Sequence, residues 1–84
     1  MVMGFNTNIK HDGVTYHIQT EPRKDARIDT TVYTKGAVIH KLKSSYQDLL
    51  DSPDFSDKKL KRRLEEQHRQ IIARIRAGEI KPTT

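Results

Sequence analysis

Asp12-Gly13, flanked on both sides by alternating polar and apolar residues, constrains the fold more than any other feature of this sequence. Asp-Gly is favoured in two-residue β-hairpin turns because both turn positions adopt positive φ. Such a turn also fixes the strand register, and here it places Ile9 opposite Tyr16, so that the apolar side chains share one face. The sequence therefore predicts a hairpin of strands 5–11 and 14–21.

A second hairpin is predicted around Lys35-Gly36, between strands 27–34 and 37–43, which are rich in Thr, Val, Ile and Tyr. The charged segment 21–26 separates the two hairpins, and Pro22 is expected to end the second strand because proline lacks a backbone N–H. With a two-residue turn, the facing pairs of the second hairpin are Val32–Ile39, Thr34–Ala37, Tyr33–Val38, Thr31–His40 and Asp29–Leu42.

Residues 56–78 have the pattern of one long amphipathic helix. Ser56 is a favoured residue for capping the first turn, and Gly78 suits the left-handed conformation that often ends a helix. Four apolar residues recur at helical spacing and form one stripe: Leu60, Leu64, Ile71 and Ile75. We expect this stripe to pack on the apolar face of the sheet.

These elements predict a single domain, residues 1–84, with an α+β fold: a four-stranded antiparallel meander with one long C-terminal α-helix packed on one face. Its parts are the meander at 5–43, a short helical turn and linker at 44–55, the helix at 56–78 and a frayed tail at 79–84. The apolar sheet face is predicted to consist of Phe5, Ile9, Val14, Tyr16, Ile18, Ile28, Val32 and Ile39.

The chain is poor in apolar residues, which make up 33% of its 84 residues, and it has no cysteine. A small domain with a thin core often needs a partner to bury more surface. The predicted helix also spans roughly 30 Å, more than the width of four strands about 4.8 Å apart. The helix end with Ile71, Ile72 and Ile75 is therefore expected to need cover, and we predict a homo-oligomer, with a dimer favoured.

The second sheet face carries few charges for a face exposed to solvent. One interpretation is an interface with a second copy or a partner, in which Tyr33, Val38 and Leu42 are the apolar anchors, together with Ile72 on the helix. The other interpretation is an ordinary polar face with scattered apolar residues.

The net charge of +5 comes entirely from residues 56–84, because the seven Lys/Arg and seven Asp/Glu of residues 1–55 cancel. On a helical projection, four cations fall opposite the apolar stripe: Lys58, Arg62, Arg69 and Arg76. This face is a candidate for binding nucleic acid or an acidic protein partner. The alternative is a solvent-exposed face whose charged side chains form ion pairs with each other, such as Glu65 with Arg69.

The usual catalytic motifs are missing, and with them any Cys nucleophile or glycine-rich phosphate loop. The four histidines lack a ligand spacing that we can justify, and Glu65-Glu66-Gln67-His68 is interpreted as a solvated helix face rather than an acid–base cluster. We therefore predict a non-enzymatic protein with no cofactor and no metal. No apolar run is long enough to span a membrane, and no signal peptide is recognised, so cytoplasmic localisation is expected.

The run Phe5-Asn6-Thr7-Asn8, followed by Asp12-Gly13 and Tyr16-His17-Ile18-Gln19-Thr20-Glu21, resembles a family of small bacterial proteins. The resemblance extends over nearly the whole chain, through Val32-Tyr33, Gly36-Ala37-Val38-Ile39, Tyr46 and Glu65-Glu66-Gln67-His68. That family has no established activity. The resemblance thus implies a stand-alone bacterial domain and supplies no catalytic or binding residues.

Overall fold

The computed structural model of the protein describes residues 3–82 and has the predicted α+β fold. Four strands come first, β1 (Phe5–His11), β2 (Val14–Arg23), β3 (Arg27–Thr34) and β4 (Ala37–Ser45). A short helix, α1 (Gln47–Leu50), and a long helix, α2 (Asp57–Arg76), follow. The strands form one antiparallel sheet in the order β1-β2-β3-β4, and α2 packs across β1, β2 and β3. Within the described residues, neither helix combines the length and apolar character that crossing a membrane requires.

The first hairpin has the predicted register along its whole length. Ile9 lies opposite Tyr16, and the paired residues run without interruption from Phe5–Thr20 to His11–Val14. Asp12 and Gly13 both have positive φ, 51° and 78°, as a type I′ turn requires. The local preference of the turn and the alternation of the strands therefore specify the same pairing.

Strand β2 continues past the predicted stop at Pro22, which pairs with Ile28 of β3. The prediction that Pro22 ends the strand is wrong. The last pair between β1 and β2 is Phe5 with Thr20, so within residues 3–82 Pro22 has no paired residue on the β1 side. A missing N–H on that free side removes no hydrogen bond from the sheet.

The second hairpin departs from its predicted register at Ile39. Its turn forms as predicted, with Tyr33 opposite Val38, and Lys35 and Gly36 both have positive φ. A β-bulge then makes Ile39 an extra residue, so that His40 lies opposite Val32.

The bulge shifts the rest of β4 by one residue, which exchanges the sheet faces of its side chains. The predicted pairs Val32–Ile39, Thr31–His40 and Asp29–Leu42 are therefore wrong, and the observed pairs are Val32–His40, Thr31–Lys41, Thr30–Leu42 and Asp29–Lys43. His40 now faces the helix side, and its buried Nε2 has no hydrogen-bond partner within residues 3–82.

Helix α2 begins and ends where the sequence predicts. The Ser56 side chain accepts a hydrogen bond from the Lys59 backbone N–H (3.3 Å). At the other end Gly78 has a φ of 78°, its N–H donates to the Ile75 carbonyl, and the Glu79 N–H donates to the Arg74 carbonyl. These two bonds define a Schellman motif, which turns the chain back toward the sheet.

The turn at Gly78 buries Ile80, which is only 4% exposed. We expected residues 79–84 to fray, and for Ile80 this is wrong because the Schellman motif directs it into the core. Residues 83–84 of that predicted tail lie outside the described residues.

Two hydrophobic clusters lie between the sheet and α2. The turn-side cluster, nearer the two hairpin turns, consists of Tyr16, Ile18, Val32, Ile71, Ile75 and Ile80. The loop-side cluster, nearer the β2–β3 loop, consists of Ala26, Ile28, Tyr46, Leu60 and Leu64. Phe55, which precedes the Ser56 cap, packs against the loop-side cluster, as expected for a residue that covers Leu60.

The C-terminal end of α2 is covered by the chain itself. Ile71 and Ile75 are fully buried, and Ile72 is half-buried against the turn-side cluster. The expectation that these residues need cover from elsewhere is wrong, because Ile80 folds back over the cluster and supplies that cover. This end of the helix consequently gives no argument for a partner.

A chain of hydrogen-bonded polar side chains lies between the two clusters. We name it the polar belt, and it consists of Thr7, Thr20, Thr30, Ser44, Gln67 and His68. His68 Nε2 bonds Thr7 Oγ1 (2.8 Å) and its Nδ1 bonds Thr20 Oγ1 (2.7 Å). The Thr20 hydroxyl meets the Thr30 hydroxyl at 2.7 Å. Gln67 Nε2 donates to Thr30 Oγ1 (3.0 Å), and the Ser44 hydroxyl donates to Gln67 Oε1.

Gln67 and His68 are thus buried, and the interpretation of residues 65–68 as a solvated face is wrong for these two. Both lie within reach of the apolar stripe, since Leu64 and Ile71 are three or four residues away on the helix. The signal that would have located them is the presence of three threonines, Thr7, Thr20 and Thr30, at core-facing strand positions. Their hydroxyls need buried partners, which the helix provides.

Candidate binding surface

The sheet side that faces away from α2 is here called the open face. Both hydrophobic clusters lie on the opposite side of the sheet, and within residues 3–82 neither cluster covers the open face. Strand alternation and the β4 bulge place the following residues there: Asn6, Asn8, Lys10, Thr15, His17, Gln19, Glu21, Arg23, Arg27, Asp29, Thr31, Tyr33, Val38, Lys41 and Lys43. With the exception of Asp29, these side chains are exposed or half-buried.

His17 occupies the centre of this face on β2, and both of its ring nitrogens are engaged. Its Nδ1 bonds Asn8 Oδ1 at 2.5 Å, and Gln19 Nε2 donates to its Nε2 at 3.0 Å. Because the Asn8 oxygen only accepts, Nδ1 donates to it, and Nε2 accepts from Gln19. The ring is therefore held in one orientation at the surface.

Tyr33 stands beside His17 on the neighbouring strand β3, directly across the pairing. The two ring centroids are 6.0 Å apart, and the ring planes are inclined by 44°. We refer to Asn8, His17, Gln19 and Tyr33 as the His17 cluster. It presents two aromatic faces and two amides in the middle of the sheet.

A cleft opens next to the His17 cluster, where the two hairpins separate. The last pair that joins β2 to β3 at this end is His17 with Tyr33, and beyond it the strands lead into different turns. The space between them is about 430 Å³ and is lined by Gly13, Val14, Thr15, His17, Tyr33, Thr34, Lys35 and Gly36. A volume of this size lies within the usual range for small-ligand sites.

The other end of the open face is closed by ion pairs around Asp29. Its carboxylate accepts from Arg27 Nε at 2.8 Å and from Arg23 Nε at 3.1 Å, and it is only 2% exposed. Burial by itself raises the pKa of Asp29, but the hydrogen bonds from Arg27 and Arg23 outweigh that effect, and its pKa lies below the ordinary value. Asp29 therefore stays ionised and its charge is matched.

The cations at the rim of the open face are less constrained. Within residues 3–82, Lys10 on β1 and Lys41 and Lys43 on β4 take part in no ion pair. The face as a whole carries five cationic side chains against the two carboxylates of Glu21 and Asp29. Its net charge is positive, although the sequence indicated a neutral N-terminal half.

The four predicted interface residues do not form one surface. Tyr33 and Val38 lie on the open face, and Val38 is 56% exposed. Leu42 packs against the turn-side cluster because the bulge turns it toward the helix, and Ile72 packs there as well. The placement of Leu42 on the open face is therefore wrong, and the role of Ile72 in an interface stays a prediction.

Four cations of α2 were predicted to lie opposite the apolar stripe. Lys58, Arg62, Arg69 and Arg76 are all exposed. Arg69 donates to Glu65 at 2.7 Å, as expected for residues four apart, whereas the other three take part in no ion pair within the described residues. The flanking cations Lys59, Arg63 and Arg74 are paired with Asp54, Asp48 and Glu79. The helix thus has a narrow row of free cations rather than a broad basic surface.

The buried histidine is committed to structure, since the threonine hydroxyls occupy both nitrogens of His68. Residues 3–82 contain no group of three or more histidine, cysteine, aspartate and glutamate side chains suited to hold a metal ion. Comparison of the chain with known proteins finds no matching family model, no matching curated protein and no matching solved structure. Its function is therefore argued from the surfaces described above.

Proposed function

We propose that this chain is a small non-enzymatic binding module whose binding surface is the open face, and that it acts as a homodimer. The observation that carries the proposal is the His17 cluster, where hydrogen bonds join Asn8, His17 and Gln19 beside the Tyr33 ring on a face that α2 leaves uncovered. Side chains ordered in this way lose little freedom when a partner binds.

The edge of β1 supports the proposed self-association. In the described part of the chain, residues 3–82, this strand pairs only with β2, and its pairing is regular over seven residues. The other edge strand, β4, carries a bulge together with Lys41 and Lys43, which are features that protect sheet edges from pairing. Antiparallel pairing of β1 with β1 of a second copy would join two sheets into one and leave both open faces free.

Sedimentation equilibrium tests the self-association, and we expect a dimer at micromolar concentrations. In a hairpin with a two-residue turn, the backbone N–H groups of alternate β1 residues, including Asn6, point away from β2. Asn6→Pro removes one such N–H without removing a bond to β2, so this variant should be monomeric while keeping its circular dichroism spectrum. Asn6→Thr is the matched control and should stay dimeric. A wild-type protein that is monomeric at about 200 µM, well above typical specific affinities, contradicts this part of the proposal.

The exposed cations of α2 favour a second candidate, in which nucleic acid binds the outer face of the helix through Lys58, Arg62, Arg69 and Arg76. Three of these cations are free of ion pairs in residues 3–82. Replacing Lys58, Arg62 and Arg76 with glutamine should then weaken binding and flatten its dependence on salt. An acidic protein is the other partner suited to this face, and binding to a polyglutamate peptide but to no oligonucleotide would favour it.

A further inference from the structure

We infer that the open face binds single-stranded nucleic acid, with bases stacked on Tyr33 and His17. The inference rests on the proposed role of the open face as the binding surface. It differs from the helix candidate in using the opposite side of the molecule, so separate sets of substitutions distinguish the two.

The two aromatic rings are placed as a stacking platform requires. Tyr33 and His17 lie on the two central strands, and neither ring is buried. A centroid distance of 6.0 Å and an inclination of 44° let each ring present its own face to a different base. Aromatic side chains on a sheet surface bind unstacked bases in this manner, largely without sequence preference.

The amides around the rings supply donors and acceptors for base edges. Asn6 and Asn8 on β1 are exposed, and Gln19 on β2 is half-buried beside His17. An amide both donates and accepts hydrogen bonds, which suits the mixed pattern of a base edge. The cleft between the hairpins, about 430 Å³, begins at Tyr33 and His17 and gives room for a base beside the platform.

The charge of the face fits a polyanion. Lys10 lies on the β1 side of the platform, and Lys41 and Lys43 lie on the β4 side. Their ammonium groups are available for phosphates because they form no ion pair in the described part of the chain. Asp29, which lies opposite Lys43, is already paired with Arg23 and Arg27.

A protein partner on the same face is less well supported. Among the residues that the structure describes, only Tyr33 and Val38 place a large apolar side chain there, whereas protein interfaces place an apolar core within a polar rim. Four strands at about 4.8 Å spacing give a face roughly 15–20 Å wide. A protein that covered this face would bury its amides, and each buried polar group would then need a new hydrogen-bond partner. A hydrated single strand avoids that requirement. Duplexes fit poorly because their bases are already paired and stacked, so they cannot stack on Tyr33 and His17.

Fluorescence anisotropy with labelled single strands of about 10 nucleotides, RNA and DNA, tests the inference, with the corresponding duplexes as comparison. Binding to single strands should exceed binding to duplexes at about 50 mM salt and should weaken toward about 200 mM. Tyr33→Ala should weaken binding by about 5- to 150-fold, as expected for the loss of one stacked base. Tyr33→Phe keeps the ring and should bind nearly as well as the wild type.

A pair of double variants separates the two faces of the molecule. Lys41→Gln with Lys43→Gln should lower the salt slope by about 1.4, whereas Lys58→Gln with Arg62→Gln, which removes the same charge from α2, should leave it unchanged. Thermal unfolding verifies that each variant is folded.

Three results would overturn the inference. They are the absence of single-strand binding at low salt, binding that Tyr33→Ala leaves unaltered, and binding that only the helix variant weakens. Sedimentation is independent of these measurements. A wild-type dimer without single-strand binding would therefore reject this ligand and leave the self-association intact. A monomer that binds single strands would support this ligand and contradict the self-association.

Discussion

At the scale of single residues, the polar belt is the feature that most distinguishes this core. Its hydrogen bonds are all satisfied when they run in one direction: Gln67 donates to Thr30, and Thr30 donates to Thr20. Thr20 then donates to His68 Nδ1, and His68 Nε2 donates to Thr7. A neutral imidazole fits this direction, whereas a charged one would have to donate from both nitrogens. Because several buried groups depend on each other, the loss of one member leaves its neighbours unpaired.

Thr20→Val should destabilise the protein by about 1–3 kcal/mol, because it leaves the Thr30 hydroxyl and His68 Nδ1 without their shared partner. Thr20→Ser keeps the hydroxyl and should cost clearly less. Urea denaturation of both variants measures the difference. Equal losses for the two substitutions would mean that the methyl group, and not the hydrogen bonds, stabilises this position.

The stability of the protein should fall as the pH drops below about 6.5. Burial lowers the pKa of His68 from its ordinary value of 6.5. Between the folded and unfolded pKa values the unfolded chain binds a proton that the folded state resists, so acid favours unfolding. The stability contribution is complete above pH 6.5 and is lost as the pH falls through the folded pKa.

Urea midpoints at about pH 7.5 and about pH 5.0 measure this effect. Asp29 does not contribute to the difference, because its pKa is lowered from the ordinary value of 3.8 and its carboxylate stays ionised at both pH values. The decline should be smaller in His68→Gln, which cannot titrate. If the variant loses as much stability as the wild type between these two pH values, His68 is not the group responsible.

At the scale of elements, the two hairpin turns have the same geometry but different residues. Both positions of each turn have positive φ, and Lys35 adopts a φ of 54° where the first turn has Asp12. Lysine has no local hydrogen bond to offset the strain of the left-handed region, whereas asparagine and aspartate tolerate it. The second turn is therefore formed by its strands more than by its own sequence.

Lys35→Asn should stabilise the protein by about 0.5 kcal/mol, since asparagine is favoured at the first position of a type I′ turn. Lys24→Asn makes the same chemical change in the exposed β2–β3 loop and should have no comparable effect. Thermal unfolding of the two variants gives the comparison. A destabilised Lys35→Asn protein would show that the Lys35 side chain makes a contribution beyond the turn.

At the scale of the whole molecule, the chain completes its core with its own last residues. The Schellman motif at Gly78 places Ile80 in the turn-side cluster, over the helix end that was expected to need a partner. The proposed self-association consequently concerns the edge of β1 and not the closure of the core. The open face and the outer face of α2 then point to opposite sides, which is why paired substitutions can assign a ligand to one of them.

Ile80→Ala should destabilise the domain by about 2–4 kcal/mol, as for other large-to-small changes in a core. Lys81→Ala, at the exposed neighbouring position, should stay within about 0.5 kcal/mol of the wild type. Chemical denaturation measures both. A negligible effect of Ile80→Ala would mean that the end of the chain contributes little to the core and that α2 is less well covered than described.

The sequence by itself determined the features that depend on neighbouring residues. The Asp12-Gly13 turn and strict alternation specify the first hairpin, and Ser56 and Gly78 specify the ends of α2. These features are decided by turn geometry, by backbone conformation at glycine and by side-chain capping, all of which act over a few residues.

Only the tertiary structure decided on which face of the sheet the β4 side chains after Ile39 lie, and which polar residues are buried. A bulge costs a local break in the pairing, and here that cost is offset because the bulge moves Leu42 into the core and Lys41 and Lys43 to the open face. The burial of Gln67 and His68 likewise depends on hydroxyls from distant strands. Such polar groups are buried only when their hydrogen-bond partners are buried with them, and these partners come together only in the folded chain.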